Sequence, residues 1–202
     1  MKLLGDSDAF CKLEGAGLLD HVAGLLGASR SECGRLPALP YMLRRGRLAQ
    51  RLGAAAPALA AAAAALPTFE DPAPHRQEPL KAIDGIDAGE ALLFAAAAER
   101  GLPLITGDKR ALRALKHAPS VVAALCGRVV TVEAALLALC HELGDEPVRA
   151  AVSTSRAVDK VMTVCFSSGV AAPRALLATY QAGIETEVAP LRLWSPEAAR
   201  RG

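Results

Sequence analysis

The chain has 202 residues, of which 52% are hydrophobic, 22% charged and 3% aromatic, and its formal net charge is +2. This length is typical of a single domain, and the high apolar content excludes global disorder. The five cysteines are scattered through apolar stretches without zinc-ligand spacing, which argues against a disulfide scaffold and a structural zinc site. The longest apolar run, residues 54–66, is shorter than the ~18–20 residues that a membrane span needs. We therefore expect a soluble, cytoplasmic protein with reduced thiols and no membrane contact.

The first half of the chain predicts one strand followed by helices. Residues 2–4 are a short apolar segment that predicts a first strand, and residues 10–13 and 18–26 have helical spacing. Further helices are predicted over residues 36–52 and over the alanine-rich residues 54–65. Four prolines among polar residues make residues 67–79 the clearest predicted loop.

From residue 86 the pattern alternates between helix and strand. A helix over Ala88–Arg100 is apolar almost all round, so we expect it to be buried on both sides, and Gly101 ends it. Residues 102–106 predict a strand, residues 109–117 an amphipathic helix, and the β-branched residues 128–132 another strand. This alternation predicts an α/β fold with a parallel sheet.

Beyond residue 133 the chain reads as helix only, over residues 134–143, 148–166 and 172–193. We therefore divide it into an α/β domain, 1–133, and a helical extension, 134–202. The apolar stripes of the extension must be covered. Either they pack on the α/β body, or they form the interface of a homodimer.

Acidic residues follow two of the predicted strands. Asp6 comes directly after the first strand and Asp108 follows residues 102–106, while Asp87 begins the buried helix. Ligands of parallel sheets bind outside the carboxyl ends of the strands, and oxygen-only ligands suit Mg²⁺ or Mn²⁺. The pattern thus predicts a Mg²⁺ or Mn²⁺ centre that hydrolyses phosphodiesters, with Asp6, Asp87 and Asp108 as catalytic acids. The full set of predicted metal ligands is Asp6, Asp8, Asp87, Glu90 and Asp108.

Helix capping is the alternative interpretation of the same acids. Asp87 and Glu90 have the spacing of a capping box, and Asp108 is placed to cap the helix over residues 109–117. A capping carboxylate can also be a ligand, so the two interpretations remain open together.

Positive charge is clustered although the net charge is small. One cluster falls in residues 44–51 and another on the helix that follows Asp108. Such clusters either grip RNA phosphates beside the acidic centre or form solvated helix faces. The side chains predicted to contact RNA are Arg44, Arg45, Arg47, Lys109 and Arg113.

Two segments resemble PIN-domain proteins. Residues 86–109, with Ile-Asp-Ala-Gly-Glu-Ala at the start and Leu-Ile-Thr-Gly-Asp-Lys at the end, resemble the signature segment of the family, and residues 3–10 resemble its first strand. By position, Asp6, Asp87 and Asp108 match the family's acids, and Glu90 resembles an acid of one subgroup. The resemblance implies a three-layer α/β/α sandwich and a metal-dependent ribonuclease. Many bacterial members are toxins, so it also implies RNA as substrate and an antitoxin as partner.

One departure from the family pattern leaves a second function open. The family carries a further acid on the helix after the first, whereas residues 36–52 contain no carboxylate. The alternative is a catalytically silent PIN-like protein that binds a partner through its helical extension. The Asp6-x-Asp8 pair also resembles that of haloacid-dehalogenase-like phosphatases, but Phe10 stands where that family has Thr or Val.

Overall fold

The computed structural model describes residues 1–155, 157 and 159–196. Four strands pair in parallel in the order β2-β1-β3-β4, so the parallel α/β sheet expected from the sequence is confirmed. The strands are β1 (Leu3–Gly5), β2 (Cys33–Arg35), β3 (Leu104–Thr106) and β4 (Val129–Thr131).

Helices make up most of the remaining described chain. They are α1 (Ser7–Gly15), α2 (Leu19–Leu25), α3 (Leu39–Arg44), α4 (Arg47–Leu52), α5 (Ala56–Ala65), α6 (Pro74–Lys81), α7 (Ala88–Arg100), α8 (Lys109–Ala114), α9 (Pro119–Leu125), α10 (Val132–Leu143), α11 (Asp145–Thr154), α12 (Lys160–Cys165) and α13 (Pro173–Val188).

The helices cover both faces of the sheet and give it three layers. Neighbouring strand residues point to opposite faces, so Leu3 packs with α1, α2 and α5, while Leu4 packs with α7, α8 and α9. Helix α13 contributes to both faces, with Leu177 in the first cluster and Ile184 in the second. The sheet is therefore buried on both sides, and its carboxyl edge is left for a site.

Several predicted elements differ from the observed ones. The helix predicted over residues 36–52 is interrupted at Gly46, which has φ 94°, and the predicted loop 67–79 contains the start of α6. Pro74 lies at the first turn of α6, where a missing amide costs nothing, and buried Leu80 holds the helix on the core. The helix predicted over residues 148–166 is divided into α11 and α12.

The C-terminal helices complete the core of the α/β body. Helix α10 begins at Val132, so the division predicted after residue 133 falls inside a helix. Its inward residues, such as Leu136 and Leu139, are fully buried in the same cluster as Leu3 and Phe10. The apolar stripes of residues 134–196 are thus covered within one chain to this extent.

The cysteines and the helix lengths bear on two further expectations. All five cysteines are free thiols, and burial raises the pKa of Cys11 to about 12. Within the described ranges, none of the helices has the length and apolar character needed to cross a membrane.

Candidate functional site

The candidate site lies where the strand order reverses. Strand β1 pairs with β2 on one side and with β3 on the other, so the connections leave these neighbours in opposite directions. In open parallel sheets such a switch point forms a crevice outside the carboxyl ends of the strands. The segments that follow β1 and β3 carry Asp6 and Asp108 into this crevice.

Asp6 is a buried carboxyl group that joins the two strands. Its Oδ1 accepts a hydrogen bond from the Ala9 amide (2.6 Å), and thereby caps α1. Its Oδ2 accepts from the Gly107 amide (2.9 Å) and from the Thr106 hydroxyl. Burial raises the pKa of Asp6, and these hydrogen bonds oppose the rise.

Asp87 and Glu90 form the capping box that the sequence offered as an alternative. Asp87 Oδ1 accepts from the Glu90 amide (2.8 Å), and Glu90 Oε2 accepts from the Asp87 amide (2.7 Å). Asp108 caps α8 in the same manner, since its Oδ1 accepts from the Ala111 amide (3.0 Å). The capping interpretation therefore holds for each of these acids, without excluding a second use of the free oxygens.

Glu90 and Asp108 share a proton across the crevice. Burial, followed by the hydrogen bond to Asp108, raises the pKa of Glu90 to about 8. Burial also acts to raise the pKa of Asp108, but the hydrogen bond from Glu90 and the Ala111 amide outweigh it, so this pKa lies below its ordinary value. At neutral pH the proton belongs to Glu90, and Asp108 is the anion of the pair.

Asp8 is neutralised by basic side chains rather than by a proton. Its Oδ2 lies 2.5 Å from Lys12 Nζ, and its Oδ1 lies 3.3 Å from Arg51 Nη2. Of the acids in the crevice, Asp8 is thus the one already compensated by two cations.

All five acids predicted as ligands line one cleft of about 760 Å³: Asp6, Asp8, Asp87, Glu90 and Asp108. Among the described residues, however, no group of three or more His, Cys, Asp or Glu side chains is arranged so that it could hold a metal ion. The donor set fits a hard cation best at Glu90 and Asp108, where the shared proton relieves the same repulsion between carboxylates that a cation relieves. It does not fit one at Asp8, whose charge is already balanced.

A second cleft of about 540 Å³ adjoins the first and is basic. Arg47, Arg51 and Lys109 line it, and it shares Asp8 and Asp108 with the acidic cleft. Ser7 also borders both clefts, and its buried hydroxyl has no hydrogen-bond partner in the described part of the chain. Acidic and basic walls therefore meet along one edge of the sheet.

The remaining residues predicted to contact RNA lie apart from these clefts. Arg44 and Arg45 are exposed at the end of α3 and do not line either one. Arg113 pairs with Glu187 of α13, with 2.5 Å between Nη2 and Oε2. Arg51, which belongs to the same sequence cluster as Arg47, lines the basic cleft instead.

Three charged residues beneath the clefts were not predicted. Lys12 Nζ lies 2.6 Å from Asp159 Oδ2 as well as contacting Asp8, and Lys109 Nζ lies 2.6 Å from Oε1 of the buried Glu133. Glu133 directly follows the β4 segment, so the rule that found Asp6 and Asp108 could have found it. Asp159 carries no such signal in the sequence.

Comparisons with known proteins identify no relative. A scan against known protein families, a search of curated proteins and a search of solved structures each gave no match to this chain. The fold and the site define an α/β protein with an acid-lined crevice at the switch point of its sheet, and the argument for function starts from that geometry.

Proposed function

We propose that the protein is a PIN-like ribonuclease that hydrolyses RNA phosphodiesters with Mg²⁺ or Mn²⁺ in the acidic cleft. The observation that carries the proposal is the proton-linked pair of Glu90 and Asp108 in a cleft bordered by three further carboxylates. A site with this much confined negative charge, next to a basic cleft, suits a cation and a phosphate together.

Asp108 and Glu90 hold the divalent ion in this proposal, and Asp87 lies at the rim of the same cleft. When bound, such an ion lowers the pKa of a water molecule and stabilises charge on the phosphate. Asp6 positions Asp108, because the Thr106 hydroxyl donates to Asp6 and accepts from the Asp108 amide (3.1 Å). Asp6 therefore fixes the loop that carries the anion of the pair.

Arg47, Arg51 and Lys109 bind the phosphates of the RNA strand on either side of the cleaved bond. These side chains contact the backbone, and few aromatic side chains are available to stack bases, so the proposal is a single-stranded substrate with little sequence preference. The resemblance to PIN-domain proteins extends the proposal to a toxin-type or RNA-processing role. In the toxin case an antitoxin is the protein partner.

A second candidate function is a catalytically silent PIN-like protein that binds a partner. The observation that favours it is that every acid of the cleft is engaged, as a cap at Asp6, Asp87 and Asp108 or as an ion pair at Asp8. In addition, α3 and α4 bring arginines and no carboxylate to the cleft.

RNA cleavage under controlled metal separates the two candidates. We expect the wild-type protein to cleave single-stranded RNA in Mn²⁺ or Mg²⁺ and not in EDTA. Asp108→Asn keeps the oxygen that caps α8 but removes the anion, so we expect it to lower the rate at least ~100-fold. Asp6→Asn should also abolish cleavage, but it disturbs the Gly107 hydrogen bond and is the less specific variant.

The matched control is Asp20→Asn, which removes an exposed carboxylate that pairs with Arg30. It should cleave at the wild-type rate. Cleavage in EDTA, or an Asp108→Asn variant as active as Asp20→Asn, contradicts the proposed mechanism. No cleavage with either metal favours the silent protein.

A further inference from the structure

Lys12 is an almost fully buried ammonium group at the edge of the acidic cleft. Its side chain is 7% exposed, and its Nζ lies 2.5 Å from Asp8 Oδ2 and 2.6 Å from Asp159 Oδ2. Burial acts to lower the pKa of Lys12, but the charges of Asp8 and Asp159 outweigh it, so the pKa is raised and the group stays charged. A cation thus occupies the space between two carboxylates.

The backbone closes over this ion pair. A Cβ at Gly107 would lie 2.7 Å from Asp8 Oδ2 and 3.3 Å from Lys12 Nζ, so the loop after β3 passes the pair at a distance only glycine permits. From the other side, Asp159 caps α12 by accepting from the Met162 amide (2.8 Å) while its second oxygen contacts Lys12. The ammonium is held by α1, by the β3 loop and by the C-terminal half of the chain.

We infer that Lys12 serves as a built-in cation of the acidic centre and limits the cleft to a single divalent ion, held at Glu90 and Asp108. The inference rests on the proposed function, because it concerns the number of ions that the proposed centre binds. Lys12 acts in it as a positioning residue: it fixes Asp8 and does not touch the substrate.

The charges explain why one ion is favoured over two. Two-metal centres hold their ions about 3.5–4 Å apart, which requires anionic oxygens on both sides of the pair. Asp8 is the acid nearest to Asp6, since its charge acts on the Asp6 pKa, but both of its oxygens face cations. A second divalent ion there would meet the ammonium of Lys12 and would find no uncompensated carboxylate.

Counting bound Mn²⁺ tests the inference with a readout other than catalysis. Titration followed by electron paramagnetic resonance of free Mn²⁺ is expected to give one ion per chain for the wild type. Lys12→Met removes the charge at similar length and leaves Asp8 and Asp159 free, so we expect two ions per chain. Lys81→Met, which removes a surface lysine paired with Glu78, is the matched control and should bind one.

Removal of Lys12 alone leaves two carboxylates unpaired, and this variant can fail to fold. In that case Lys12→Met combined with Asp159→Asn removes both charges of the pair while Asn retains an oxygen to cap α12, and we again expect two ions. Two ions in the wild type, or one ion in the folded Lys12 variant, overturns the inference and leaves the proposed function standing. No bound Mn²⁺ in the wild type overturns the proposed function, and the inference with it.

Discussion

Individual carboxyl groups of this protein serve two purposes at once. Asp108 uses Oδ1 to cap α8, while its carboxyl group also accepts the proton of Glu90. Glu90 likewise completes the capping box of α7 with Oε2 and shares a proton with Asp108. Sequence spacing identified both residues but not the proton between them, because that depends on how closely α7 and the β3 loop approach.

The proton on Glu90 predicts an unusual dependence of stability on pH. The pKa of Glu90 is about 8 in the folded chain against 4.5 for an ordinary glutamate, so between these values the folded state binds the extra proton. The free energy of unfolding should therefore fall as pH rises from 5 to 8, by at most about 1.4 kcal/mol per pH unit.

Glu90→Gln carries no titrating group and should flatten this slope, while it remains as stable as the wild type near pH 5. Urea unfolding at constant ionic strength, at several pH values between 5 and 9, measures the effect. Parallel pH profiles for the wild type and Glu90→Gln would show that Glu90 does not hold the proton. The lowered pKa of Asp108 acts below pH 4 and does not enter this window.

At the scale of elements, those with local signals at both ends were predicted well. Helix α7 has the bounds expected from the sequence, because the Asp87 capping box fixes its start and Gly101, with φ 61°, fixes its end. The strands β3 and β4 were found because three successive buried residues in each are apolar or β-branched.

Elements that depend on distant partners were missed. Strand β2 has the sequence Cys-Gly-Arg, which carries no alternation, and it is a strand because β1 pairs with it. The turn at Gly46 was not predicted because apolar residues continue at helical spacing across it. Helix α6 lies in a proline-rich stretch and is held by buried Leu80 and by the pairing of Arg76 with Glu99 at 3.4 Å.

Helix α13 is expected to be part of the folding core rather than an appended segment. Leu177 is fully buried between α13 and the body, whereas its neighbour Leu176 is only half-buried. Leu177→Ala should lower the free energy of unfolding by about 2–5 kcal/mol, and Leu176→Ala by clearly less. Thermal unfolding of both variants is the measurement. If Leu177→Ala unfolds α13 alone, in a separate transition, the C-terminal helices are an independent unit.

For the molecule as a whole, the C-terminal half supplies charges to a site built by the N-terminal half. Asp159 contacts Lys12 across 147 positions of sequence, and Glu133 contacts Lys109. Such pairs have no local pattern, so the sequence predicted the acids of the cleft but not the network beneath them. The same packing brings the basic cleft, with Arg47 and Lys109, against the acidic one.

The central claim is that the acidic cleft binds a divalent cation, and a crystal soaked in Mn²⁺ tests it most directly. The account predicts one anomalous-scattering peak per chain, with Mn²⁺ bound by carboxylate oxygens of Glu90 and Asp108 and with Lys12 still in contact with Asp8. Fully occupied crystals with no peak in this cleft, or with Mn²⁺ bound only elsewhere on the surface, would contradict it.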